Sequence, residues 1–172
     1  MNYYMLPFAL VLVGCTSSNA GFDHRRPTQP THADQIVTAY GFYGYSENTH
    51  REELANFIGV DPVQTEWCAA FVNAVLRTEG IEGSDSVSEF PLTARSFLLW
   101  GEEVKNPKSG DIVVFPRGEP WQGHVGFYVR TVNLSDGPHY VILGGNQEDK
   151  VSLEYYPASR AISIRRRLPQ PS

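Results

Sequence analysis

The chain has 172 residues, 41% of them apolar and 12% aromatic, with a formal net charge of −5 and a pI near 5.5. That is one domain's worth of chain with enough apolar material for a core, which excludes a disordered or low-complexity protein. The acidic balance argues against a nucleic-acid partner, for which a basic stripe is expected; Arg165-Arg166-Arg167 is the only basic run and reads as a solvated strand end.

Leu6 to Val13 is apolar, too short to span a bilayer, and runs into Gly14-Cys15. That is the size of a signal-peptide core. Leu12-Val13-Gly14-Cys15 resembles the lipobox of bacterial lipoproteins, in which the cysteine is lipidated and becomes the new N-terminus. The first five residues depart from that pattern in having no Lys or Arg. Thr16 to Thr31 is polar, contains prolines and lacks hydrophobic periodicity, so it reads as a flexible tether reaching roughly 20–25 Å. The resemblance divides the chain into a signal peptide (1–14), Cys15 with its tether (15–32) and one folded domain (33–168). It implies a lipid anchor in a bacterial membrane, and Thr16 in place of Asp resembles sorting to the periplasmic face of the outer membrane. With Cys15 lipidated, Cys68 is the one thiol of the mature chain and has no disulfide partner within it.

From Ala33 the texture is helical. Ile36, Val37, Tyr40 and Phe42 mark a first helix ending around Gly41–Gly44, and Leu54, Phe57 and Ile58 a second over Glu52 to Ile58, closed by Gly59. Asp61-Pro62 is a turn. A third helix is expected from about Glu66 to Glu79, with Cys68, Phe71, Val72, Val75 and Leu76 on one apolar stripe. After a segment around Leu92–Leu99 the period changes to that of strands. Asp111–Phe115, His124–Val129, Tyr140–Leu143, Val151–Tyr155 and Ala161–Arg165 are short, β-branched or aromatic, and bounded by turn residues. Helices first and strands afterwards predict an α+β fold, with N-terminal helices packed on a mainly antiparallel sheet of about five strands.

Two of these elements carry chemistry. A thiol at the start of the third helix is biased toward thiolate by the helix dipole and unpaired N–H groups. A hairpin centred near Ser135 sets His124 opposite Asn146, close enough to hydrogen-bond, and Gly126 opposite Gly144. A bulge would bring Gln147 or Gly145 there instead. Glycines in a strand admit another element, and the Cys68 helix end is the natural occupant. Cys68 would then be a nucleophile, His124 its base, and Asn146 the residue that orients the imidazole. The Cys68 N–H is a candidate oxyanion donor; Gln64 is the one suggestion for a second.

Trp67-Cys68-Ala69-Ala70-Phe71-Val72, Ser109 to Phe115, Gly123-His124-Val125-Gly126 and Gly144-Gly145-Asn146-Gln147 resemble the papain-like peptidoglycan hydrolases of the CHAP and NlpC group, in that family's order. The resemblance implies a papain-like fold and a cysteine peptidase or amidase cutting peptidoglycan peptide stems, without metal or other cofactor. By position it makes Cys68 the nucleophile, His124 the base and Asn146 the third polar residue, a place commonly held by His in one branch and by Asn or Glu in the other. Trp67 and Trp121 are candidates for the substrate groove, with core packing an equal reading for Trp67. Asp111 reads as structural, shaping the turn into the first strand. His24, His32, His50 and His139 lack metal-ligand spacing. A lipoprotein that keeps this fold only to bind wall peptides or a protein partner is the alternative reading, and an acyltransferase using the same Cys–His chemistry a third.

Overall fold

The computed structural model describes residues 32–167. The segments expected to be signal peptide (1–14) and lipidated Cys15 with its tether lie outside the described residues, except His32, which opens the first helix. Three helices come first: α1 (His32–Tyr40), α2 (Arg51–Ile58) and α3 (Cys68–Thr78). Two 3-10 turns follow, Ser84–Ser86 and Ala94–Leu99. Then come six strands, β1 (Glu102–Glu103), β2 (Ile112–Pro116), β3 (Gly123–Leu134), β4 (Gly137–Gln147), β5 (Lys150–Pro157) and β6 (Ser163–Arg166). They form one antiparallel sheet in the order β1-β6-β2-β3-β4-β5. The fold is α+β with the helices N-terminal to the sheet, consistent with the papain-like arrangement. The strand beyond the expected five is β1, two residues paired with Arg165 and Arg166.

Alternation along β2 and β3 sorts side chains between two cores. Ile112, Val114, Val125 and Phe127 join the helices, while Val113, Phe115, Tyr128 and Ile142 form a smaller cluster on the other face. Against the first face lies α3, buried on every residue from Cys68 to Leu76 rather than along one stripe. Ala69, Ala70 and Ala74 let neighbours approach where longer side chains would hold them off. The one polar residue there, Asn73, is fully occupied. Its Nδ2 donates to Ser84 Oγ and Pro91 O at 3.0 Å each, and its Oδ1 accepts from Ser84 N–H at 2.8 Å. A buried amide with all its partners is cheap to keep and fixes the connection that crosses it.

The basic run is structural rather than solvated. Arg166 forks onto buried Asp111 at 2.8 and 2.7 Å, and Asp111 also accepts Lys108 N–H at 2.7 Å. Arg165 donates to Trp100 O and Gly101 O at 2.8 and 2.9 Å. Together they clip β6 and the segment before β1 to the start of β2.

Candidate active site

Cys68 is the first residue of α3 and lines a groove of about 280 Å³ walled by Leu92, Ala94, Arg117, Trp121 and Gln122. No side chain caps the helix start, so its first N–H groups lack intrahelical partners. The backbone N–H groups of Ala69, in the same turn, and of Val125 in β3 both act on the Cys68 sulfur in the direction of thiolate. The thiol thus feels the backbone of the residue that follows His124. The helix start does not make it a thiolate at rest. Burial pushes the Cys68 thiol above its ordinary value, and the two N–H groups and the Arg117 charge offset only part of that.

His124 is the second residue of β3 and is 4% exposed. Its ring stacks on Tyr156 at 5.4 Å between centroids, and Tyr156 stacks on Phe115 at 4.6 Å. Imidazole Nε2 lies 3.0 Å from Gln147 Oε1. The orientation of that amide follows from its other end. Gln147 Nε2 lies 2.7 Å from Ser152 O, a carbonyl that can only accept, so the nitrogen belongs there and the oxygen faces the imidazole. Tyr156 O–H donates to the same Oε1 at 3.3 Å. An acceptor opposite Nε2 requires a proton on Nε2, which leaves the lone pair on Nδ1. Burial lowers the His124 pKa from 6.5 to about 4; the Gln147 bond raises it by less, and Arg117 lowers it further. At neutral pH the site therefore rests as neutral thiol and neutral imidazole.

Asn146 does not take the place expected for it. It has φ 57°, and its Nδ2 donates to Glu66 Oε2 at 2.8 Å rather than to His124. The β4–β5 register slips between Gly144 and Gln147, so Gln147 turns inward instead. The same irregular stretch holds Glu148 and Asp149 at φ 51° and 60°. The glycines also divide their work differently from expectation. Gly126 and Gly144 do face one another, but the space beside them is filled by Ile142 and the Gln147 amide. Gly145 is the one that admits the helix: a Cβ there would lie 2.7 Å from Trp67 Cε3 and 2.8 Å from Phe71 Cβ. Trp67 is consequently core, with no exposed surface and its Nε1 donating to Glu47 Oε2 at 3.1 Å. Trp121, 67% exposed, lines the groove. Gln64 is exposed in a neighbouring hollow that also includes Thr65, Glu66 and Asn146.

Gln147 is one of the two residues expected beside His124 if a bulge intervened, whereas Ser152 and Tyr156 are site residues that periodicity does not single out. The available signal was the Gly-Gly-Asn run before a Glu-Asp turn, which favours a bulge. Among the described residues no group of three or more His, Cys, Asp or Glu side chains could hold a metal, and no helix is long and apolar enough to cross a membrane.

Compared with protein-family models, the chain matches the CHAP domain over residues 60–146, just over half of its length. The matched span contains Cys68 and His124 and stops one residue short of Gln147. No curated protein matches the chain.

Proposed function

The chain belongs to the CHAP domain family, whose domains are typically amidases or peptidases acting on peptidoglycan, and from that premise we propose that it cuts an amide bond of the peptide stem by thiol attack from Cys68. The observation that carries this reading is the seat of the thiol. Cys68 lines a groove at a helix start, its sulfur under the influence of the N–H that follows a histidine whose free lone pair is on Nδ1.

The resting protonation states dictate the order of events. Nδ1 of His124 takes the Sγ proton as the sulfur attacks the carbonyl carbon, so the thiolate forms only with the new C–S bond. The carbonyl electrons move onto oxygen, where the Cys68 N–H at the uncapped helix start is the donor in reach. Collapse breaks the C–N bond, and the imidazolium returns its proton to the departing amine. Water, deprotonated by the same nitrogen, then hydrolyses the thioester and restores the thiol. Gln147 Oε1 keeps the proton on Nε2 throughout and takes the orienting role that position alone would give to Asn146.

Digestion of purified peptidoglycan by the full chain and by Cys68→Ala, read by mass spectrometry of the products, tests the reading. New termini from the wild type alone are expected, and they distinguish cleavage at the muramoyl–alanine bond from cleavage within the stem. The same products from both proteins would sink it.

The lipobox-like Leu12-Val13-Gly14-Cys15 supports a lipid anchor on Cys15 and a place on the periplasmic face of the outer membrane. Cys15→Ser is expected to abolish incorporation of labelled fatty acid and to release the protein from the membrane fraction; unchanged fractionation would refute the anchor.

A further inference from the structure

We propose that Arg117 binds a free carboxylate on the wall peptide and thereby selects which amide is presented to Cys68. The inference rests on the hydrolase reading and adds the charge of the substrate to it. Apart from Arg117 and Glu66 the groove beside Cys68 is uncharged, with Leu92, Ala94 and Trp121 as its apolar walls, and Arg117 is its one cation. A lone guanidinium on an apolar wall beside a nucleophile is placed to bind an anion and orient what carries it.

Arg117 is not committed elsewhere. Its one hydrogen bond among the described residues runs from Nη1 to Glu66 Oε2 at 3.3 Å, between side chains 52% and 76% exposed. An exposed pair of this kind contributes little, and it leaves most of the planar fork of donors unused. Glu66 keeps its bond from Asn146 Nδ2 at 2.8 Å when Arg117 turns away, so the exchange strands no partner. Beyond Glu66 lies a second hollow of about 210 Å³ lined by Glu47, Glu66 and Asp149 and by no Lys or Arg. A carboxylate is repelled from that side. The signs of charge therefore give the bound peptide a direction across Cys68, with its carboxylate toward Arg117.

Binding and turnover separate this inference from the reading beneath it. Two synthetic stem peptides, identical except for one carboxylate replaced by carboxamide, are titrated by calorimetry into the full-length Cys68→Ala protein. The carboxylate peptide is expected to bind about tenfold tighter, with the advantage shrinking as salt is added. Arg117→Gln in the same background should abolish the difference, and Arg117→Lys should keep part of it. Glu66→Gln, which removes the internal competitor, should tighten the carboxylate peptide further; if Arg117 served only to tether Glu66, it would weaken it as Arg117→Gln does. Equal affinities for the two peptides, or no binding of either, overturn the inference. Hydrolysis of peptidoglycan by the wild type, measured separately, decides the hydrolase reading whatever the titrations give.

Discussion

Burial of His124 without a carboxylate partner sets a measurable dependence of stability on pH. Its pKa falls from 6.5 to about 4 in the folded chain, which corresponds to about 3 kcal/mol between the two protonation states. The sign follows from proton counting. Between these values the unfolded chain carries the imidazole proton and the folded chain does not, so stability rises with pH there. The contribution is complete above pH 6.5. About 2 kcal/mol of it is lost by pH 5 and about 3 kcal/mol by pH 4, below which the loss levels off. Other groups also respond to acid, so the comparison is with His124→Gln, a neutral side chain of similar reach. Urea unfolding followed by tryptophan fluorescence, at intervals from pH 7 to pH 4, should show the wild type losing about 3 kcal/mol more than the variant. Imidazole resonances of the labelled protein should place the His124 titration near pH 4. Equal losses in the two proteins, together with a titration near 6.5, would refute the argument that burial outweighs the Gln147 bond.

Two substitutions test the architecture around the pair. Gln147→Ala removes the acceptor from Nε2–H and the donor from Ser152 O. Turnover on peptidoglycan is expected to fall by about 10²-fold or more, and stability by about 1–3 kcal/mol for each buried group left without a partner. Asn146→Gly keeps the left-handed backbone that delivers Gln147 and should retain most of the activity; a loss as deep as that of Gln147→Ala would return the orienting role to Asn146. Gly145→Ala drives a methyl group into Trp67 and Phe71. It should cost about 1–3 kcal/mol and lower the thermal midpoint by several degrees, and an unchanged midpoint would mean that α3 is not held at that contact.

The elements were legible because their periods are strong. The apolar run of α3, the β-branched runs of β2 to β5 and the change of texture after residue 100 each follow from local pattern. The β3–β4 pairing was legible near the site for a less direct reason. Phe127↔Leu143 and Tyr128↔Ile142 sit in the register expected for a turn at Ser135, whereas Leu134↔Gly137 at the turn itself is one residue out of step, across the irregularity between Tyr128 and Arg130. What local pattern could not supply was the identity of the residue against His124. A backbone irregularity puts Gln147 there, and the amide is held by Ser152 and Tyr156 on β5, partners chosen by the sheet and not by spacing. Trp67 was equally open until Gly145 and Glu47 enclosed it. The state of the thiol departs from the local expectation for a related reason. A helix start favours thiolate by a local field, but burial acts through everything packed around the sulfur, and for Cys68 it is the larger effect.

The amide in the third position has a consequence for the chemistry. A carboxylate facing Nε2–H would stabilise the imidazolium and draw the thiol proton across before substrate arrives. Gln147 offers a dipole instead, and its pull on the imidazole is smaller than the cost of burial. Arg117 works in opposite directions on the two partners, favouring the Cys68 thiolate while opposing the His124 cation. A substrate carboxylate on Arg117 would weaken both effects together, giving up the help to the thiolate along with the opposition to the imidazolium, so the anion positions the peptide without a net electrostatic gain in moving the proton from Sγ to Nδ1. The carboxylate peptide should then exceed the carboxamide peptide through KM, with kcat the same within about twofold, and a larger difference in kcat would refute the cancellation. If the wild type turns over the two with equal kcat and differs only in KM, Arg117 acts through binding alone.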